Sequence, residues 1–243
     1  MLKWVVRDGS GVIVIGILKM ILQLHQKQRW RLLIDVDTQK DFLLPTGRSC
    51  VRNQAEVLAK IRRVMAWARS EKVPVISTAE IYPNNNGCSA ISYCLEGTDG
   101  QKKVSCTLLN DRVSFPADNK NALPADVLLA YRQVILHKRC IDPFEESRIE
   151  RLLSEIEADE FILIGARTED AVRATALGLL HRGKKVRIIV DALGSHNKRK
   201  ASLALRVMKA RGADLVETKD IAGASHLRPC LPSTAGIVAG ERN

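Results

Sequence analysis

An α/β domain built on a mainly parallel, six-stranded sheet with helices on both faces, a three-layer α/β/α arrangement of Rossmann-like type, is what this sequence predicts. Three observations lead there. Short apolar runs recur from Arg31 onward and alternate with stretches of helical periodicity, the order that places parallel strands between covering helices. The runs are apolar nearly throughout, as strands buried on both faces must be. The 243 residues, 46% of them hydrophobic, are enough to bury one full core at the upper end of the usual size of a single α/β domain.

The strands are expected at Leu32 to Asp37, Val73 to Thr78, Gln133 to Lys138, Phe161 to Ala166, Lys185 to Asp191 and Ala213 to Glu217. Between the first two, Val57, Leu58, Ile61, Val64, Met65 and Ala68 fall on one wide helical stripe, a packing face. After the fourth strand Thr168 is positioned to cap a helix whose first turn carries Glu169 and Asp170, where the helix dipole favours negative charge, and Gly183 ends it. A further helix is expected over Asn197 to Arg211, stopped by Gly212, with Leu203, Val207 and Ala210 facing inward. The segment from Tyr82 to Pro124, rich in Asn, Gly, Ser, Asp and Pro, reads as irregular loop with at most one short hairpin. Long loops of this kind in compact domains generally serve a function.

Domain boundaries follow: residues 1–28 as a dispensable N-terminal extension, 29–226 as the working domain, and 227–243 as a loose C-terminal tail. The apolar stretch Gly11 to Leu24 is interrupted by Lys19, lacks a small-residue cleavage site and is too short to span a bilayer. No membrane association is expected. The six cysteines form no C-x-x-C pair and no regular spacing, which argues against a zinc cage or a disulfide framework and for a cytoplasmic location. The net charge of +11 is scattered along the chain without a block of five like charges, and aromatic content is 4%. A solvated basic surface is the plainer reading, and nucleic acid is not expected as a partner.

Ligands of open parallel sheets gather at the carboxyl ends of the strands. There the first strand runs into Asp37, the third ends at Lys138, and the fourth leads to the helix start at Thr168. A carboxylate, an ammonium and a helix N-terminus can carry acid/base chemistry and hold an anion. They can equally form a plain ion pair at the sheet edge, and spacing alone leaves both readings open.

Five motifs sharpen this. D-T-Q-K-D-F (Asp37 to Phe42) resembles the D-x-Q-x-D-F signature of the isochorismatase-like cysteine hydrolases, which include nicotinamidases and N-carbamoylsarcosine amidases. Lys138 followed by Asp142, Pro143 and Phe144 is similar to that family's K-x-x-x-S-A-F, with the Ser-Ala pair changed. Gly165 to Ala176 resembles G-V-x-T-x-x-C-V-x-x-T-A except at Ala166 and Ala171, and Val186 to Ala192 resembles the next strand with its D-A ending. Cys94, Gly97 and Thr98 are similar to the H-C-V-x-G-T block of the nicotinamidase branch. The order and spacing of these blocks over residues 31–195 make the resemblance specific.

The resemblance implies an Asp, Lys, Cys triad in which the Asp takes the thiol proton, the Lys stabilises charge and the thiolate attacks a carbonyl. Asp37 and Lys138 stand at the first two positions, whereas Ala171 stands at the nucleophile's, and a methyl group cannot attack. The backbone amides of Asp170 and Ala171 would receive an oxyanion, and Phe42 would contact the ligand. Where the nicotinamidase branch carries its metal ligands, this chain has Glu80, Tyr82 and Asn86, a set poorly suited to zinc or iron. Neither a metal nor another cofactor is expected. Cys140, two positions past Lys138, is the alternative nucleophile, but a residue there needs a different loop path to reach the helix start. Asp35 and Asp41 are expected to organise the first loop, and Cys94 to pack.

Three functions remain in view. The first is a homologue without thiol-dependent catalysis that retains a pocket for a small carboxylate, amide or aromatic acid. The second is a working hydrolase of a C–N or enol-ether bond using water or another nucleophile. The third is a non-catalytic protein acting through its basic surface. Self-association into dimers or tetramers is implied by the resemblance.

Overall fold

The apolar runs form strands and the periodic segments pack over them, in a computed structural model that describes residues 30–84, 91–117 and 123–223. The expected N-terminal extension, the apolar stretch 11–24 and the tail 227–243 lie outside the described residues, as do Asn86, Cys88 and Cys230. In chain order the elements are β1 (Arg31–Val36), α1 (Lys40–Leu43), α2 (Gln54–Ser70), β2 (Val75–Glu80), β3 (Arg112–Phe115), α3 (Val127–Ala130), β4 (Gln133–Lys138), α4 (Ser147–Glu155), β5 (Glu160–Ala166), a π-turn (Thr168–Val172) continuing into α5 (Arg173–His181), β6 (Val186–Gly194), α6 (Lys198–Ala210), β7 (Asp214–Val216) and α7 (Thr218–Ala222).

All pairings in the sheet are parallel, in the order β3-β4-β2-β1-β5-β6-β7. Side chains alternate between two cores, as a strand period of two requires. Leu32, Ile34 and Val36 of β1, with Phe161 and Leu163 of β5, face α3, α4, α5 and α6. Leu33 of β1, with Ile162 and Ile164 of β5, faces α1 and α2. These are the three expected layers. The α2 stripe is buried at the six positions its periodicity marks, each large aliphatic side chain contributing about 1.5–3 kcal/mol by leaving water.

Three expectations are corrected. The sheet has seven strands rather than six: β3 lies within the segment read as irregular, a four-residue edge strand paired with β4, with Arg112 and Ser114 exposed. So short an edge strand carries only Val113 and Phe115 as apolar signal. In α6 the inward residues are Ala201, Ala204 and Met208, while Leu203 is 54% exposed and Ala210 is exposed as well. The small residues let α6 lie close against the Thr168–Val172 turn, and that approach outweighs burial of a larger side chain. Thr168 does not cap. Its hydroxyl donates to the Gly194 carbonyl at 2.9 Å, tying the ends of β5 and β6 together, and the residue before it, Arg167, takes the left-handed conformation.

Candidate functional site

The register of the sheet brings its charged residues to one edge. Glu80, the last residue of β2, pairs with Lys138, the last of β4, and Val36 pairs with Gly165. Asp37 follows β1 directly, and Arg167 follows β5 directly. Both turn sharply: Asp37 has φ 47° and Arg167 φ 64°, and Cys94 beside them has φ 49°. Left-handed backbone at non-glycine residues costs of order 1–3 kcal/mol apiece and gathers where surrounding structure holds a site in place.

The four charged side chains are buried against one another. Lys138 and Asp37 form an ion pair at 2.9 Å, and Lys138 reaches Glu80 at 3.2 Å, with all three side chains wholly inaccessible. The ammonium also donates to the Cys140 and Ile141 carbonyls at 2.9 and 3.1 Å. Arg167 binds the Glu80 carboxylate through Nη2 and donates to the Tyr93 hydroxyl at 3.0 Å. Its guanidinium lies over the Phe42 ring at 4.9 Å and the Tyr93 ring at 5.3 Å. Tyr82 donates its hydroxyl to the other Glu80 oxygen at 3.1 Å. Two carboxylates face two cations, which is how such charges persist out of water.

Burial opposes the charge on Asp37, but the Lys138 ammonium, the Thr78 hydroxyl donating at 2.6 Å and the more distant Arg167 together hold its carboxyl below the usual range. Lys138 is likewise penalised by burial and nevertheless held above its ordinary value by Asp37 and Glu80. Burial, then the neighbouring Asp37, push the Glu80 carboxyl up against the pull of Lys138 and Arg167. The lowered Asp37 therefore contributes stability that is present above its ordinary value of 3.8 and is lost as pH falls through the folded-state value. Urea unfolding from about pH 7 down to about pH 3 should show a falling acid limb that is flatter in Asp37→Asn. An unchanged limb would mean that Asp37 is not ionised in the fold.

Of the residues singled out from the sequence, Asp37 and Lys138 are brought together and satisfy the ion-pair reading directly. Phe42 is buried beside them, with one ring face taken by Arg167. Ala171 is fully buried in the Thr168–Val172 turn, within the apolar cluster of Val172 and Ala176. The Asp170 amide, expected to receive an oxyanion, donates to the Arg167 carbonyl at 3.0 Å. Cys140 directs its thiol to the Asp142 carbonyl at 3.1 Å, and burial raises its pKa, a poor setting for a nucleophile. Cys94 packs in the core. Asp41 accepts from the Arg48 and Cys94 amides, and Asp35 accepts from Thr38 and Ser77 and pairs with Lys103 at 3.0 Å. Asp191 accepts from Thr218 and pairs with Lys60, anchoring the start of α7.

Glu80 and Tyr82, at the metal positions of the nicotinamidase branch, do not fit a metal site. The Glu80 oxygens are engaged by Lys138, Arg167 and the Tyr82 hydroxyl itself, and the guanidinium brings positive charge where a cation would need donors. Sequence reasoning missed Arg167, Tyr93 and the ion-pairing role of Glu80. A charged residue closing or following an apolar strand, as in both V-I-S-T-A-E and F-I-L-I-G-A-R, was the available signal.

Among the described residues no helix is long and apolar enough to cross a membrane. The nicotinamidase of Escherichia coli (strain K12) is 26% identical over 208 residues, covering 78% of this chain and 96% of that protein. The zinc-bound pyrazinamidase of Pyrococcus horikoshii has the same fold, with a TM-score of 0.60 at 24% identity over 77% of this chain and 99% of that one. An isochorismatase family protein of Desulfovibrio vulgaris superposes with a TM-score of 0.62 at 20% identity, over 79% and 96% of the two chains. The isochorismatase domain itself is matched over residues 31–220, a span that runs from β1 into α7 and contains the whole charged cluster, and the chain belongs to the isochorismatase family.

Proposed function

We propose that this chain is an isochorismatase-family hydrolase homologue that has lost thiol-dependent catalysis and retains its site for binding a small ligand. The observation that carries this reading is the state of the thiols. Catalysis by cysteine needs a thiol whose pKa is lowered by nearby positive charge or a helix N-terminus. Cys50, Cys94, Cys106 and Cys140, the cysteines among the described residues, are all pushed up by burial. Ala171 holds the position where the motif calls for the nucleophile.

What remains is suited to recognition. The Nε–H of Arg167 is buried without an acceptor among the described residues, and a buried donor left unpaired costs about 1–3 kcal/mol. A small carboxylate, amide or aromatic acid reaching the half-buried Tyr93 side of the cluster would supply that acceptor. The kinship with a nicotinamidase selects the first probes: nicotinamide, nicotinate, isochorismate and a panel of small amides.

Each is to be followed both for product and for its effect on thermal unfolding. One of the acids or amides should raise Tm by about 5–10 °C when present at roughly a hundred times its Kd, with no product formed. Turnover that Asp37→Ala abolishes would overturn the proposal, and its persistence after alkylation of the thiols would assign the attack to water.

A further inference from the structure

The fold brings one distant arginine against a basic helix. Arg52, from the loop before α2, joins Lys198, Arg199 and Arg206 of α6 around an open groove of about 830 Å³ that Asn197 and Ser202 complete. All six residues are exposed, and none of the four cations is in an ion pair with a carboxylate among the described residues. We propose that this groove binds the phosphate backbone of duplex nucleic acid, without regard to base sequence.

The backbone that carries the cations is fixed. The Arg52 amide donates to the Ser195 carbonyl at 3.0 Å, Asn53 bonds the Leu193 carbonyl and the Ser195 amide, each at 3.0 Å, and His196 contacts the Ser49 carbonyl at 2.8 Å. These bonds lock the loop carrying Arg52 against the loop entering α6, so the cations project from rigid backbone. Three of the four are arginines, whose planar donors match phosphate oxygens.

The arrangement favours a polymer over a free phosphate. Glu169 already accepts from the His196 and Asn197 amides, both at 2.9 Å, which puts a carboxylate where a compact anion would otherwise sit at the start of α6. Arg199, Ser202 and Arg206 instead form a stripe along one face of the helix, about 10 Å long at 1.5 Å per residue. A duplex presents a backbone charge about every 1.7 Å of its axis, so the stripe meets several at once. The lining holds no aromatic residue to stack a base and no apolar residue to enter a lipid surface, leaving backbone contact as the mode of binding.

The test uses the full chain and a fluorescently labelled duplex of about 20 base pairs, as DNA and as RNA, with anisotropy read between about 50 and 200 mM salt. Binding should be in the micromolar range at low salt and weaken steeply as salt rises. Arg199→Ala combined with Arg206→Ala should weaken binding about tenfold or more and flatten the salt slope by about two. Lys72→Ala with Lys185→Ala removes the same charge from loops at the opposite edge of the sheet and should have little effect.

No binding at low salt would overturn the proposal, as would equal losses in the two double variants, which would reduce the effect to net charge. Displacement of the duplex by tripolyphosphate at equal affinity would assign the groove to a small phosphate ester instead. Equal, Arg199- and Arg206-dependent binding to phosphatidylserine vesicles would assign it to a membrane surface.

Discussion

Lys138→Met should destabilise the fold by about 3–5 kcal/mol, because it removes one partner from a buried set of charges and leaves the others without compensation. The substitution preserves most of the side-chain volume, so packing changes little and the loss reports the charge. Asp37 would keep its bond from Thr78 but lose the cation facing its second oxygen, and Glu80 would retain only Arg167 and Tyr82. The Cys140 and Ile141 carbonyls would lose their donor as well. Unfolding in urea measures the effect. The double variant Lys138→Met with Asp37→Asn should be less unstable than the two single losses added together, by of order 1–3 kcal/mol, since it discharges both ends of one contact. A loss below about 1 kcal/mol in Lys138→Met would mean that the cluster is open to water.

This cluster also shows where reading from sequence stops. The ends of β1, β4 and β5 were legible because their apolar runs stop at polar or small residues, with Asp37 and Lys138 standing where β1 and β4 run out, whereas β2 and β6 run on past the expected Thr78 and Asp191 to Glu80 and Gly194. The α2 stripe was legible from six apolar residues in one period. Arg167 was not, because it occupies a variable position of the G-V-x-T motif and only its left-handed backbone turns it inward onto Phe42. Tyr93 lies in an irregular segment with no period to read. The face of α6 was misplaced: Leu203, Val207 and Ala210 were expected to face inward, where close approach of helix to turn selects Ala201 and Ala204 together with Met208. Glu80 was noticed as a metal position, but the two cations that engage it, Lys138 and Arg167, lie 58 and 87 residues further on.

Gly165→Ala should be as damaging as the loss of Lys138, about 3–5 kcal/mol, and for a backbone reason. Gly165 has φ 144°, a region that L side chains rarely adopt, and it sits where the pairing of β5 with β6 slips in register. A Cβ added there would overlap the Val36 carbonyl oxygen and approach the Val36 Cβ to 2.8 Å. Val36 is the last residue of β1 and is paired with Gly165 itself, so neither partner can retreat without parting the two central strands. Asp37 and Arg167 flank this contact in sequence, one residue past Val36 and two past Gly165, and any separation must move the ion-pair cluster with it. Gly183→Ala supplies the comparison. That residue also has positive φ, 70°, but a Cβ there meets nothing within 4 Å, so its variant should lose only about 1 kcal/mol. Urea unfolding of the two variants separates the cost of conformation from the cost of collision. Similar losses in both would mean that β1 and β5 can part freely at this point, and the geometry that brings Asp37, Glu80, Lys138 and Arg167 together would then have to be held from elsewhere in the sheet.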